Sequence, residues 1–143
     1  MDGANPGHAA ALWVGLHILL MLVLSLLVVR LRNKHKVFLG DEGIPELAQA
    51  IRAFGNASEY VPPGLAGLIV LDLAGGTPLV VHIAGFILLV GRITHAVGLS
   101  NSVGTSIPRA LGMTLTWCAY VFLVAATLKV AGISKPLLVT DAG

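Results

Sequence analysis

Residues 45–63 read PELAQAIRAFGNASEYVPP, and the placing of this stretch decides the placing of everything else. Wound as a helix, it sets Arg52, Asn56 and Glu59 at i, i+4 and i+7, stacked on one stripe two turns tall. Ala53, Phe54 and Ala57 then point elsewhere. A guanidinium, an amide and a carboxylate in one column suit a small zwitterion. The arginine can fork onto a carboxylate, and the glutamate can accept from an ammonium group. A plainer reading stays open, an internal Arg52–Glu59 pair that neutralises itself. Tyr60 follows directly. Pro62 and Pro63 withhold two amide donors, which would free the carbonyls of Ser58 and Glu59 and bend the helix just beyond the stripe.

Composition puts the stripe in a membrane. Of 143 residues, 56% are hydrophobic and 11% charged, with mean hydropathy +0.88; soluble domains carry about 25% charged residues. The expectation is a single-domain integral membrane protein. A net charge of +2, with no basic run interleaved with aromatics, argues against nucleic acid as a partner. The single cysteine, Cys118, cannot bridge within the chain and is expected to be buried and inert in its apolar run. Five scattered histidines offer no metal-ligand spacing, so no metal is expected.

The first span, about residues 9–29, carries no formal charge and is long enough to cross a bilayer. The short head before it, Met1 to His8, is expected to be disordered or interfacial; it lacks Lys and Arg, and no small-residue cleavage site follows the span. The segment therefore reads as a permanent anchor. His17 reads as packed or interfacial, and Trp13 as part of an aromatic belt. Arg30, Arg32, Lys34 and Lys36 come next and place their loop in the cytoplasm, with the N-terminus outside. That cluster serves as a topology signal, with ligand attraction or contact from the Arg30–Arg32 end as the other reading.

The second span, about 47–73, is unusual. Its purely apolar part, Val61 to Leu71, is too short to cross. Counting back about 20 residues from Asp72 reaches Arg52 or Ala53, so the stripe lies in the cytoplasmic half of the bilayer. Asp72 to Pro78 reads as a tight outer turn. The third span, about 79–99, brings Arg92 and His95 to the same depth on one face, unless Arg92 snorkels to the headgroups. Arg109 opens the fourth, about 109–133, and Lys129 lies near its outer end; the tail from Ser134 is uninformative. The fold expected is an all-α bundle of four transmembrane helices with both termini outside. Arg52, Asn56, Glu59, Tyr60, Arg92, His95 and Arg109 meet in one leaflet, and the outer leaflet holds nothing comparable. A lone subunit would leave the stripe partly in lipid, which is costly, so self-association is expected. Such a site suits an anionic or zwitterionic ligand from the cytoplasm and a lipophilic small molecule or lipid from the bilayer. A cationic cluster also stabilises a thiolate, the nucleophilic form of a thiol.

RAFGNASEY, with a proline two residues on, resembles the second-helix signature of the membrane-associated proteins in eicosanoid and glutathione metabolism (MAPEG), here a bacterial-type member. Arg52, Asn56 and Glu59 match the positions that contact glutathione in that family, and Tyr60 matches the tyrosine of its leukotriene C synthase branch. GRITHAVG, with Arg92 and His95, is similar to the family's Arg-x-x-His or Arg-x-x-Tyr pattern. PRALG is similar to the opening of the fourth helix in the microsomal glutathione transferase branch. The resemblance covers nearly the whole chain. It implies a homotrimer in the inner (cytoplasmic) membrane with glutathione as co-substrate between subunits. It also implies glutathione transfer to lipophilic electrophiles, peroxide reduction, or eicosanoid synthesis. The eicosanoid synthases carry a thiol-activating arginine in the stretch corresponding to Ser100–Pro108. This chain has none there, which leaves Arg109 as the catalytic candidate and makes a specific eicosanoid synthase a poor match. Two alternatives remain: a non-catalytic glutathione- or lipid-binding member, and a four-helix multidrug transporter. The transporters are organised around a first-helix carboxylate, and none stands between Ala9 and Val29.

Overall fold

The computed structural model describes residues 7–101 and 104–132. The expectations for the head before Gly7, for positions 102 and 103 of the third loop, and for the chain from 133 onward lie outside the described residues. Four helices follow in order: α1 (His8–His35), α2 (Pro45–Leu73), α3 (Pro78–Asn101) and α4 (Ile107–Val130). Three of them, α1, α3 and α4, are long and apolar enough to cross a membrane. The remaining one, α2, carries the charged stripe.

Local chemistry sets the ends. α1 stops where Lys36 adopts a left-handed conformation, φ 57°, with its amide returned to the Arg32 carbonyl. Pro45 opens α2, where its missing amide costs nothing and its fixed φ suits the first turn; Glu46 beside it faces the positive end of the helix dipole. α2 then runs without interruption through Pro62 and Pro63 to Leu73. Both prolines point outward. Asp72, read from sequence as a turn residue, instead belongs to the last turn of α2, and the connection shrinks to Ala74–Thr77. Its carboxylate is buried and accepts the Ala10 amide of α1 at 2.7 Å. That cross-helix cap is why the helix does not end where the turn-forming residues begin.

Among the described residues α2 and α3 form the central pair, each touching both outer helices, while α1 and α4 do not meet. α3 and α4 approach closest, backbone to backbone. A Cβ at Gly112 would stand 2.4 Å from the His95 amide nitrogen, and one at Gly98 would stand 2.6 Å from that of Arg109. Only glycine permits this, and the contact fixes the register of Arg92 and His95 against α4. The polarity pattern inverts that of a soluble bundle. Leu19, Leu22, Leu26, Val121 and Val124 look outward, whereas His17, Asp72, Arg92, His95 and Thr116 are buried. An apolar outside is what a helix bundle presents to lipid.

Candidate functional site

Arg92 is the centre of the inner half. It is 1% exposed and so does not snorkel. Its Nε donates to Thr116 Oγ1 at 2.9 Å, its Nη1 donates to Asn56 Oδ1 at 2.8 Å, and its Nη2 points at Met113 Sδ, 3.7 Å away. The guanidinium carbon stands 5.1 Å from the centre of the Tyr60 ring, a cation over a π face. Among the described residues no carboxylate pairs with it. The charge is held by neutral dipoles and an aromatic face, an arrangement that costs desolvation energy and leaves positive potential in place. Thr116 also donates to the Gly112 carbonyl at 2.8 Å, so its hydroxyl serves as donor and acceptor at once. Behind this, the Tyr120 hydroxyl donates to the Tyr60 carbonyl at 2.5 Å. Gly64, one turn beyond Tyr60, lets α3 pack close: a Cβ there would fall 2.5 Å from the Leu88 side chain.

The stripe divides in the structure. Asn56 is half-buried and turned to Arg92, whereas Arg52 and Glu59 are exposed on the outside of the chain. Helical phase accounts for this. At 100° per residue Arg52 and Glu59 point within about 20° of each other, while Asn56 lies about 40° and about 60° from them. Among the described residues the ion pairs are Lys34 with Glu46, at 2.8 Å, and His35 with the same carboxylate. Arg52 and Glu59 do not pair, and their seven-residue offset, about 10 Å along the axis, keeps them apart. Glu59 stands about 21 Å along α2 from Leu73, well within a hydrocarbon layer about 30 Å thick.

His95 and Arg109 make a separate pair nearer the inner end. His95 Nδ1–H donates to the Arg109 carbonyl at 2.9 Å, and Arg109 Nη1 donates to the Gly104 carbonyl at 2.6 Å. The backbone of Arg109 is thus pinned by α3, and its half-buried guanidinium closes the loop before α4. At the water-exposed end, Lys34 and, after it, His35 hold the Glu46 carboxyl below the usual glutamate range.

The outer half holds more than the sequence suggests. Trp13 Nε1 donates to His82 Nδ1 at 3.0 Å, and the Trp13 ring meets the His82 and Phe86 rings edge-on. Gly85 makes the space, since a Cβ there would fall 2.3 Å from the indole. His17 is fully buried, with Nδ1 donating to the Trp13 carbonyl at 2.7 Å and Nε2 without a partner. Together with the Asp72–Ala10 bond, these contacts fasten α1 to both central helices. Cys118 is exposed on the outward face of α4 and not buried as its apolar run suggested.

The chain matches the MAPEG family over residues 10–129, nearly the whole of the four helices. It belongs to that family. The inner membrane protein YecN of Escherichia coli strain K12 is 40% identical over 119 residues, which is 83% of this chain and 89% of the relative. Its counterpart in E. coli O6:H1 matches to the same extent. This MAPEG chain is an all-α integral membrane protein of the bacterial inner-membrane type.

The MAPEG chain therefore sorts its polar groups into three sets. Arg92, Asn56, Tyr60, Thr116 and Tyr120 bond to one another inside the bundle. His95 and Arg109 join α3 to the start of α4. Arg52 and Glu59 face outward, about two turns apart and without an ion-pair partner among the described residues. Thr116 and Tyr120 escaped the sequence reading, although a threonine at i+4 from a glycine and a tyrosine at i+8 in an otherwise apolar helix were a signal for them.

Proposed function

We propose that this protein binds glutathione in the inner half of the membrane, between copies of the chain assembled as a homotrimer, and transfers it to lipophilic electrophiles. The observation that carries the reading is the outward-facing Arg52 and Glu59, without an ion-pair partner among the described residues, with Glu59 at hydrocarbon depth and Arg52 about 31 Å from Leu73, at the inner edge of that layer. A charge facing lipid at the depth of Glu59 is costly, so the stripe needs a covering subunit, and a ligand of opposite pattern suits its two charges. Glutathione supplies carboxylates for Arg52 and an ammonium group for Glu59. Asn56, oriented by Arg92, would offer its amide hydrogens to the peptide groups, with Tyr60 and His95 lining the same side. Family membership supports this ligand class.

The chemistry is a substitution. A neighbouring guanidinium favours the thiolate, and the thiol proton passes to water. The sulfur attacks the electrophilic carbon, a C–S bond forms, and the leaving group departs with its electron pair. Arg109 is the cation placed for the stabilising role. Its bond to Gly104 supports a second reading, in which Arg109 closes the loop and the protein holds glutathione or a lipid without turnover. Calorimetric titration with glutathione, followed by an assay for conjugation of a generic aryl halide, separates the outcomes. Binding with product supports the transferase, binding without product supports the second reading, and no binding removes the transferase and the glutathione form of the second reading.

A further inference from the structure

The last two turns of α1 and the Lys36 cap divide their basic residues into two groups. Glu46 pairs with Lys34 and takes a contact from His35 on the same carboxylate oxygen. Among the described residues Arg30, Arg32 and Lys36 pair with no carboxylate; Arg32 Nη1 donates only to the Gly40 carbonyl, at 3.0 Å. Arg32 and Lys36 line one cavity of about 330 Å³ with Val29, Asn33, Val37 and Phe38. The left-handed turn at Lys36 tucks Val37 inside, 2% exposed, and throws Phe38 and Leu39 outward, 94% and 87% exposed. In water that pair would be a cost without a return. The apolar run of α1 ends at Val29, and Lys36 lies about 10 Å beyond it along the helix. This is the headgroup layer, where an aromatic and a leucine can turn back toward acyl chains.

We propose that this cavity is a binding site for an anionic phospholipid, with Arg32 and Lys36 on its phosphate and Phe38 and Leu39 against its chains. The site is separate from the Arg52–Glu59 stripe and does not rest on the glutathione reading. Charge selects the occupant: two unpaired cations beside an exposed apolar pair fit an amphiphile with an anionic head, and a zwitterionic head would gain less. Basic groups at a membrane surface each contribute enough for roughly fivefold in anionic-lipid affinity.

The test uses the full chain in mild detergent, titrated with phosphatidylglycerol and with phosphatidylcholine, with bound lipid counted by native mass spectrometry. Wild-type protein should favour phosphatidylglycerol by about tenfold or more, and Arg32→Gln with Lys36→Gln should bring the preference to within about twofold. Lys34→Gln removes the same unit of charge from the same end of α1, yet should leave the preference unchanged, because Lys34 is already paired. Equal loss in Lys34→Gln and Arg32→Gln would overturn the site in favour of a diffuse basic surface. Displacement of phosphatidylglycerol by inorganic phosphate alone would make it a soluble-anion site and refute the lipid. Should the double variant fail to fold, equal wild-type affinity for the two lipids still refutes the proposal. Phe38→Ser should weaken both lipids together without changing the assembly's mass; a loss of mass instead would mean that a second copy covers the loop.

Discussion

The two halves of the bundle treat polar groups in opposite ways. In the outer half the buried polar side chains bond within the chain, with the Nε2 of His17 the exception among the described residues. Asp72 takes the Ala10 amide, His82 takes the Trp13 indole proton, and His17 donates to the Trp13 carbonyl. Truncating Asp72 or His82 removes a bond that holds α1 to the central helices. In the inner half Arg92 gathers neutral partners around its charge, and Arg52 and Glu59 face outward with no ion-pair partner among the described residues. A polar group satisfied by its own fold is a structural device. A charged group that faces outward at hydrocarbon depth is waiting for something from outside the subunit.

The sharpest way to break this contrast is Arg92→Ala. It strands the Asn56 carbonyl and empties a large side-chain volume between α2, α3 and α4. The expected loss is about 2–4 kcal/mol of stability, read as a fall in unfolding temperature in mild detergent. A loss below about 1 kcal/mol would show that the neutral partners never needed the charge. Arg92→Met fills the volume without a charge to desolvate, so it should recover much of the stability. It should not recover glutathione binding, because Asn56 would remain unoriented.

Next comes Arg52→Ala, which touches the outward stripe alone. A hydrogen bond between charged partners contributes about 1.5–3 kcal/mol, so glutathione affinity should fall by about tenfold or more while the unfolding temperature barely moves. Calorimetry on correctly assembled protein decides it. Unchanged affinity would sink the stripe as a ligand site. Asp72→Ala is the outer-half counterpart, with the profile reversed. Losing the cross-helix cap on α1 should cost about 1 kcal/mol of stability, and Asp72→Asn rather less, since its carbonyl oxygen can still accept. Glutathione affinity should be unaltered in both. A binding defect in folded Asp72→Asn would mean that the halves are coupled and the contrast is false.

The legible and illegible parts of the molecule divide along similar lines. Four helices could be read from run length and punctuation, because a bilayer demands long apolar segments and prolines mark their starts at 45, 78 and 108. The i, i+4, i+7 spacing gave the relative directions of Arg52, Asn56 and Glu59. It could not say which edge of the stripe met a neighbour, and the 40–60° between Asn56 and the two charges (about half the width of an apolar face) turned out to decide it. Arg92 could equally have snorkelled. Its burial depends on Gly91 and Gly112 letting α4 come close enough to present Thr116, and that is a property of two helices together. Asp72 was misplaced for a similar reason: its partner lies 62 residues away on α1. Local turn chemistry knows nothing of that contact.

The smallest predicted effect concerns Glu46, the inner-half carboxylate that does find partners within its own chain. Its hydrogen bond from Lys34, and after that the one from His35, hold its folded-state pKa below the ordinary glutamate value. A carboxylate whose pKa is lowered by folding contributes stability above its unfolded pKa and loses it as pH falls through the folded one. The unfolding temperature should therefore drop slightly as the solution is acidified through and below the usual glutamate range. Glu46→Gln should flatten that part of the profile without altering the rest. The pair is fully exposed, so screening keeps the effect small and added salt should erase most of it. Glu46 also lies beyond the outward stripe, at the water-facing end of α2, so Glu46→Gln should leave glutathione affinity as it was. If it instead weakened binding as strongly as Arg52→Ala, any inner-end charge would serve. The separation of paired from unpaired residues would then lose its meaning.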